Sequence, residues 1–284
     1  MPMSRVVYVN GDYVPEEEAK ISIFDRAFLF GDAIYEVTAV LDGTLVDFEP
    51  HMQRLHRSLR ELDMNQPISD AEILAMHKEL MARNNLSNGL IYMQITRGVA
   101  ERDFAYPEDA KQTVIAFTQE KDFRAAKGAE TGIRIITLPD IRWQRRDIKS
   151  TGMLAQAMAK EAAKRAGVDD AWMVQDGHVT EGTSNTAFIV VDGNRLITRP
   201  LSNDILPGVT RRTILKLADS GEITVEERAF TPEEAKAADE AFITSASSFV
   251  TPVIEIDGVT IGDGKPGPVT RKLRALYLEE AAKG

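Results

Sequence analysis

A lysine next to a helical pattern is the first residue whose position points to chemistry. Lys149 lies in RRDIKSTGMLAQAMAKEAAKRAG, residues 145–167, where a strand is expected to end and an amphipathic helix to begin. Apolar surroundings disfavour the protonated form of a lysine, so that its amine can form a Schiff base with an aldehyde. A solvated surface position is the usual place for a single lysine, and the residue alone leaves both interpretations open.

Three further segments contain groups that suit an anionic or heteroaromatic ligand. Glu181 lies in VTEGTSNTAFIV, where a carboxylate could hold a proton on a ring nitrogen or simply belong to a capped turn. Val209 and Thr210 begin a helical pattern, and the first N–H groups of a helix together with its dipole form either an anion site or an ordinary N-cap. The hydroxyl groups of FITSASSFVTPV, residues 242–253, could contact the same anion or form a turn.

Two arginines could bind acidic groups. Arg54 lies off the apolar stripe of its predicted helix, where most arginines face solvent, but a buried arginine there would suit bidentate phosphate binding. Arg102 lies in TRGVAERDFAYP, residues 96–107, on a loop that follows a strand pattern. Loop arginines are usually solvated, whereas one that reaches a cleft could bind a carboxylate.

Composition narrows the classes of function. The 284-residue chain has a formal net charge of -10 and a pI of about 5.1, so no basic stripe is expected to bind nucleic acid or an anionic membrane. The absence of cysteine excludes disulfides, thiolate nucleophiles and cysteine-ligated metals, and the four histidines lack metal-site spacing. No apolar run approaches a membrane span and no apolar signal core begins the chain, which predicts a cytoplasmic location.

Strands and helices are predicted in both halves of the chain. Turn dipeptides flanked by β-prone residues indicate antiparallel hairpins at Asn10-Gly11, Asp42-Gly43, Asp176-Gly177, Asp192-Gly193 and Asp257-Gly258. Helical patterns cover residues 49–64, 69–85, 210–221, 231–239 and 267–284, and Ser69 with Glu72 forms a capping-box pattern. Mixed elements without strict βαβ alternation indicate an α+β fold.

One polar segment is typical of a linker between domains. TQEKDFRAAKGAETG, residues 118–132, is charged, contains small residues, and lies between two apolar strand patterns. We therefore expect a first domain at residues 1–121, a linker at 122–130 and a second domain at 131–284.

Taken together, the motifs resemble fold-type-IV pyridoxal-phosphate enzymes, and among these the D-amino acid aminotransferases. The resemblance covers nearly the whole chain and is carried by YVNGDYV, IFDRAFLFGDAIYEV, EPHMQRLHRSL, YMQITRG, DIRWQRRDIKS, VTEGTSN, ILPGVTR and FITSASSFVTPVIEIDG. It implies a two-domain α+β fold, with a small α/β domain and a larger, pseudo-barrel-like domain that carries the cofactor lysine. It also implies pyridoxal 5'-phosphate as cofactor, an amino acid and a 2-oxo acid as substrates, and a homodimer.

The resemblance assigns roles to individual residues. Lys149 matches the lysine that forms the Schiff base with the cofactor, and Glu181 matches the carboxylate paired with the pyridine nitrogen. Arg142 matches a residue near the cofactor's phenolic oxygen. The implied phosphate contacts are Arg54, Val209, Thr210 and Ser247. The implied substrate-binding residues are Tyr35, Val37, Arg102 and Phe104, with Arg102 supplied by the neighbouring subunit.

The sequence departs from the family pattern at two places. The family's Asp-Arg-Gly reads Asp25-Arg26-Ala27, which is expected to alter a turn. The common Arg-x-His reads Arg102-Asp103-Phe104, so one polar contact to the substrate carboxylate is missing.

Rival activities of the same fold are a branched-chain L-amino acid aminotransferase, an (R)-amine transaminase and an aminodeoxychorismate lyase. A non-catalytic cofactor-binding protein is a fourth alternative, which Lys149 and Glu181 disfavour.

Overall fold

The computed structural model describes residues 4–219 and 222–283, which divide into two compact units. The first unit comprises residues 4–122 together with Ile148–Gly152, and the second comprises residues 123–147 and 153–283. Among the described helices, none is long and apolar enough to cross a membrane.

The first unit is an antiparallel sheet covered by helices. Its elements are β1 (Val6–Val9), β2 (Asp12–Pro15), α1 (Arg26–Phe30), β3 (Ala33–Leu41), β4 (Thr44–Leu45), α2 (Phe48–Glu61), α3 (Asp70–Arg83), β5 (Gly89–Thr96) and β6 (Val114–Glu120). The strand order is β2-β1-β6-β5-β3-β4, and every neighbouring pair is antiparallel.

The two faces of β3 have different environments because side chains alternate along a strand. Ile34 and Val40 belong to the apolar core, together with Leu55 and Leu59 of α2. Tyr35 and Val37 point to the opposite face and remain half-buried. The strand therefore separates a helix-covered core from a face that a ligand can reach.

The second unit is built on a sheet of nine strands. Its elements are α4 (Lys127–Thr131), β7 (Ile133–Pro139), α5 (Leu154–Arg165), β8 (Asp170–Gln175), β9 (His178–Gly182), β10 (Thr186–Val191), β11 (Arg195–Thr198), α6 (Val209–Asp219), β12 (Thr224–Glu227), α7 (Pro232–Lys236), β13 (Glu240–Ser245), β14 (Phe249–Ile256), β15 (Val259–Thr260) and α8 (Pro268–Ala281). The order is β12-β11-β10-β13-β14-β7-β8-β9, with β15 paired to β14.

This sheet mixes parallel and antiparallel pairs and curls on itself. The pairs β11–β12, β14–β7 and β7–β8 are parallel, and the other pairs are antiparallel. The edge strand β9 also contacts β10, from which four strands separate it in the sheet order. The second unit is thus a partial barrel, and the predicted α+β class with a pseudo-barrel-like part is confirmed.

All five predicted hairpin turns are present. They join β1–β2, β3–β4, β8–β9, β10–β11 and β14–β15, and both central residues of each turn have positive φ, as at Asn10 (52°) and Gly11 (109°). Positive φ at both positions matches the right-handed twist of paired strands, and asparagine, aspartate and glycine tolerate it best.

The predicted helices are also present, with shifts of a few residues at their ends. They correspond to α2, α3, α6, α7 and α8. Ser69 and Glu72 form the predicted capping box of α3. Residues 220, 221 and 284 of the predicted helical patterns lie outside the described part of the chain. Ala27, where the family has glycine, lies within α1, and a helical position accepts alanine without strain.

Two features of the structure bear on the predicted domain division. The linker segment contains α4, and Phe123 within it is buried and stacked on Phe249 with ring centroids 4.3 Å apart. Ile148–Gly152 lies with the first unit, because Tyr35 N donates to Lys149 O at 3.0 Å and Thr151 N donates to Ala33 O at 3.0 Å. Lys149 was expected in the second domain as the cofactor lysine, and both this role and the domain limits stay predictions.

Candidate active site

Lys149 is half-buried beside the accessible face of β3. Its Nζ lies 4.1 Å from the ring centroid of Tyr35, and its backbone N donates to Ser58 Oγ at 3.3 Å. Within the described residues the Nζ amine forms no hydrogen bond or ion pair with protein. The expected strand–helix junction was wrong, since β7 ends at Pro139 and α5 begins only at Leu154. A short segment docked on β3 positions Lys149 instead.

An aromatic surface continues from Tyr35 across the same sheet. Tyr35 stacks on Tyr92 of β5 at a centroid distance of 5.4 Å, and Tyr92 stacks on Phe117 of β6 at 4.9 Å. Val37 is opposite Tyr92 in the β3–β5 register. The predicted substrate residues Tyr35 and Val37 therefore lie on one face with Lys149, and Tyr92 is a neighbour that the sequence analysis did not identify.

Arg54 is buried on the other side of β3, where it pairs with Glu36. Its Nε donates to Glu36 Oε1 at 2.9 Å and its Nη2 donates to Oε2 at 2.6 Å, while His51 Nδ1 lies 2.7 Å from Oε2. Burial raises the pKa of Glu36, but the charge and hydrogen bonds of Arg54, with a contribution from His51, lower it to about 2. The carboxylate therefore stays ionised and holds the guanidinium.

Glu181, at the end of β9, is buried and uses both carboxylate oxygens. Arg142 Nη1 donates to Oε1, and Leu206 N donates to Oε2 at 3.1 Å. A carboxylate has about four acceptor positions, so these two contacts are compatible with a further hydrogen bond from a ring N–H. The predicted pairing of Glu181 with a pyridine nitrogen is compatible with this geometry.

Arg142 is held by a second carboxylate behind Glu181. Its Nε and Nη2 donate to Asp140 at 3.0 and 2.7 Å, and Thr180 Oγ1 donates to Asp140 Oδ2 at 2.7 Å. Burial lowers the pKa of Arg142, but Asp140 and Glu181 together raise it above its ordinary value. Burial raises the pKa of Asp140, but Arg142 and Thr180 lower it below its ordinary value. A permanently charged arginine thus orients Glu181. Its contact with the phenolic oxygen stays a prediction.

The N-terminus of α6 has the features of an anion site. No acidic residue lies in its first turn, and Thr210 is 2% exposed with an Oγ1 that makes no hydrogen bond within the described residues. A Cβ on the preceding Gly208 would lie 2.8 Å from Thr186 Oγ1, so glycine allows the helix start to approach β10 closely. A phosphate at Val209 and Thr210 would supply the missing partner and match the helix dipole.

Ser247, the other predicted phosphate contact in this unit, lies in the turn between β13 and β14. Its Oγ is 3.2 Å from Ser245 Oγ, which is also 2.7 Å from Ser248 Oγ. All three hydroxyls are half-buried. Such a cluster can reorient its hydroxyl protons toward an anion.

The predicted substrate residues Arg102 and Phe104 lie on the loop between β5 and β6. Phe104 is 78% exposed, and its ring centroid lies 5.6 Å from that of Phe30. The Arg102 guanidinium lies 5.4 Å from the Phe30 ring and 5.5 Å from the Phe104 ring. Each unit thus brings its own predicted residues together: Lys149, Tyr35 and Val37 in the first, and Glu181 and Arg142 in the second.

These residues fit pyridoxal 5'-phosphate, because its aldehyde, ring nitrogen and phosphate each have a suitable group. Residues 33–256 match the family model of amino-transferase class IV. This chain is a class IV aminotransferase. As a member of this family, it is a pyridoxal-phosphate-dependent enzyme.

The similar proteins are named for two kinds of substrate, D-alanine and branched-chain amino acids. A D-alanine aminotransferase of Staphylococcus haemolyticus is 40% identical over 269 residues, 94% of this chain and 95% of that one. A D-alanine aminotransferase of Bacillus licheniformis is 37% identical over 281 residues, 98% of this chain and 99% of that one. The solved structure of a branched-chain amino acid aminotransferase from T.th. with pyridoxamine 5'-phosphate superposes with a TM-score of 0.90 at 27% identity, covering 99% of this chain and 95% of that one.

Sequence reasoning missed the groups that hold the predicted residues of this aminotransferase. Asp140 and Thr180 fix Arg142, and Glu36 with His51 fixes Arg54. The sequence does contain a signal for the group of Glu36, His51 and Arg54. Glu36 interrupts the apolar strand AIYEVTAVL, where a buried carboxylate requires a partner, and His51 and Arg54 are three residues apart on one helix face.

Proposed function

We propose that this aminotransferase transfers the amino group between a D-amino acid, such as D-alanine or D-glutamate, and a 2-oxo acid. The observation that carries the proposal is the 40% identity to a D-alanine aminotransferase over 94% of the chain, compared with 27% to the branched-chain structure. We further propose that it acts by a ping-pong mechanism, as a homodimer, in the cytoplasm.

Pyridoxal phosphate, when bound, supplies the electron sink that makes the substrate's α-proton removable. The protein's residues bind the cofactor and move the proton. Lys149 would hold the cofactor through Nζ, and its free amine would take the proton from the substrate's α-carbon as general base. Its position beside Tyr35, with an amine that has no hydrogen-bond partner among the described residues, suits both tasks.

Further residues would hold the ring and the phosphate of the cofactor. Glu181, oriented by Arg142, would keep the pyridine nitrogen protonated, which would strengthen electron withdrawal by the ring. The α6 N-terminus with Val209 and Thr210, the Ser247 hydroxyl and Arg54 bind the phosphate. Tyr35, Val37, Arg102 and Phe104 contact the substrate, and Arg102 binds its carboxylate.

One specific observation favours a second candidate, a branched-chain L-amino acid aminotransferase. The structure of such an enzyme superposes over 99% of this chain with a TM-score of 0.90. The two activities differ in which side of the cofactor ring takes the carboxylate and which takes the side chain, and this exchange leaves the fold unchanged.

A panel of D- and L-amino acids with pyruvate or 2-oxoglutarate, read by chiral product analysis, tests the proposal. We expect turnover of D-alanine or D-glutamate and none of L-leucine or L-valine. In Lys149→Ala, turnover and the absorbance of the lysine-bound cofactor should both disappear. Lys164→Ala, which alters an exposed lysine of α5, is the matched control. Turnover of L-leucine and L-valine without D-amino acids would establish the second candidate instead.

A further inference from the structure

The loop that carries Arg102 has little secondary structure of its own. It extends from the end of β5 at Thr96 to the start of β6 at Val114, and an isolated bridge within it joins Val99 to Asp25. A loop of this length keeps one conformation only if side chains hold its backbone.

Arg26 makes the contacts that hold this backbone. Its side chain is 3% exposed, and its Nη1 donates to Asp103 O at 2.6 Å and to Ala105 O at 3.2 Å. Its Nη2 lies 3.5 Å from Phe104 O. One guanidinium therefore reaches three consecutive carbonyl groups immediately after Arg102.

Asp32 fixes the direction of that guanidinium. Arg26 Nε and Arg97 Nε each donate to Asp32 Oδ2 at 2.8 Å. Arg97 in turn donates to Leu62 O at 2.7 Å and lies 3.5 Å from the Tyr106 ring centroid. The Asp32 carboxylate, whose side chain is 9% exposed, accepts from both arginines and so limits the rotation of each. Asp32 therefore fixes the Nε side of Arg26, while Nη1 and Nη2 face the carbonyl groups of the loop.

Phe30 connects Arg26 to Arg102. The Arg26 guanidinium lies 4.6 Å from the Phe30 ring centroid, and the Arg102 guanidinium lies 5.4 Å from the same ring. Phe104 packs on Phe30 as well. The position of Arg102 thus depends on α1, the short helix that begins with Arg26.

We infer that Arg26 is a positioning residue that fixes the loop of Arg102 so that Arg102 can bind the substrate's carboxylate. The inference rests on the proposed role of Arg102. Arg26 itself contacts backbone carbonyls and Asp32, so it acts through the loop.

Two substitutions of Arg26 test the inference. Arg26→Gln removes the charge and most donors. Arg26→Lys retains the charge for Asp32 but cannot reach three carbonyls, and it serves if the first variant folds poorly. We expect the KM for D-alanine and D-glutamate to rise about tenfold or more in Arg26→Gln and less in Arg26→Lys, with kcat within about twofold. Arg60→Gln, an exposed arginine of α2, should leave both constants unchanged.

Hydrogen exchange and a double variant separate positioning from a general structural effect. Amides of residues 99–107 should exchange faster in Arg26→Gln than in the wild type, while those of β3 and β5 keep their protection. In the Arg102→Ala background, Arg26→Gln should raise KM no further, because the group that it positions is gone.

Each contrary result has a distinct meaning. Unchanged exchange at residues 99–107, or an undiminished effect of Arg26→Gln on KM in the Arg102→Ala background, would overturn the inference. If Arg102→Ala alone leaves KM unchanged, the proposed carboxylate role of Arg102 is wrong and the inference fails with it. The exchange data would then still show whether Arg26 holds the loop.

Discussion

Glu36 is an acid within an otherwise apolar strand, and its partners decide its charge. Arg54 and His51 lower the pKa of this buried carboxyl to about 2, from an ordinary value of 4.5. A folded-state pKa below the unfolded value adds stability above the unfolded pKa, and this stability is lost as the pH falls. The stability that ionised Glu36 contributes is therefore lost between about pH 4.5 and pH 2.

We expect Glu36→Gln to weaken this pH dependence. At pH 7 the variant should be less stable by on the order of 3 kcal/mol, because Arg54 loses its charged partner while buried. Between pH 4.5 and 2 its stability should fall less steeply than that of the wild type. Urea unfolding at a series of pH values measures both effects, and parallel pH profiles would contradict the assignment.

Glu181 should matter for proton transfer more than for cofactor binding. We expect Glu181→Gln to bind pyridoxal phosphate while the rate of α-deuterium loss from labelled D-alanine falls about a hundredfold or more, because a neutral ring withdraws electrons weakly. Glu233→Gln, an exposed carboxylate of α7, is the control. An unchanged rate of α-deuterium loss would show that Glu181 does not act on the ring.

At the scale of elements, α3 begins with a reciprocal cap. Glu72 N donates to Ser69 Oγ at 3.3 Å, and Ser69 N donates to Glu72 Oε2 at 2.7 Å. The helix packs Ile73, Met76 and Leu80 into the core of the first unit, so its start influences the unit as a whole.

We expect Ser69→Ala to lower the free energy of unfolding by about 1 kcal/mol, because the Glu72 N–H loses its acceptor. Ser69→Thr retains a capping hydroxyl and should stay within a few tenths of a kcal/mol of the wild type. Urea unfolding followed by circular dichroism compares the three proteins, and equal loss in both variants would mean that the hydroxyl is not the cause.

At the scale of the whole molecule, the proposed homodimer predicts complementation. Lys149→Ala protomers should be inactive, and Arg102→Ala protomers, whose KM is raised, should be nearly inactive at a D-alanine concentration near the wild-type KM. If Arg102 acts in the neighbouring subunit, mixed dimers contain one site with both residues intact, and activity should return to about a quarter of the wild-type level for random pairing. Light scattering under assay conditions gives the oligomeric state. An active monomer, or no recovery in verified mixed dimers, would refute the arrangement.

Features that depend on a few neighbouring residues were predictable from the sequence. The five hairpins follow from asparagine, aspartate and glycine at positions that need positive φ, and the cap of α3 follows from Ser69 and Glu72, three residues apart. The family and its cofactor were predictable because their motifs are short and occur in a fixed order along the chain.

Contacts between distant parts of the chain were decided only by the tertiary structure. Arg142 meets Glu181 across 39 positions, and Arg26 meets the carbonyl of Asp103 across 77. Local preference says nothing about such pairs, because strand order and loop path bring them together. The same reason explains Lys149: its sequence indicated a helix start, but hydrogen bonds with Ala33 and Tyr35 of β3 hold its segment on the first unit.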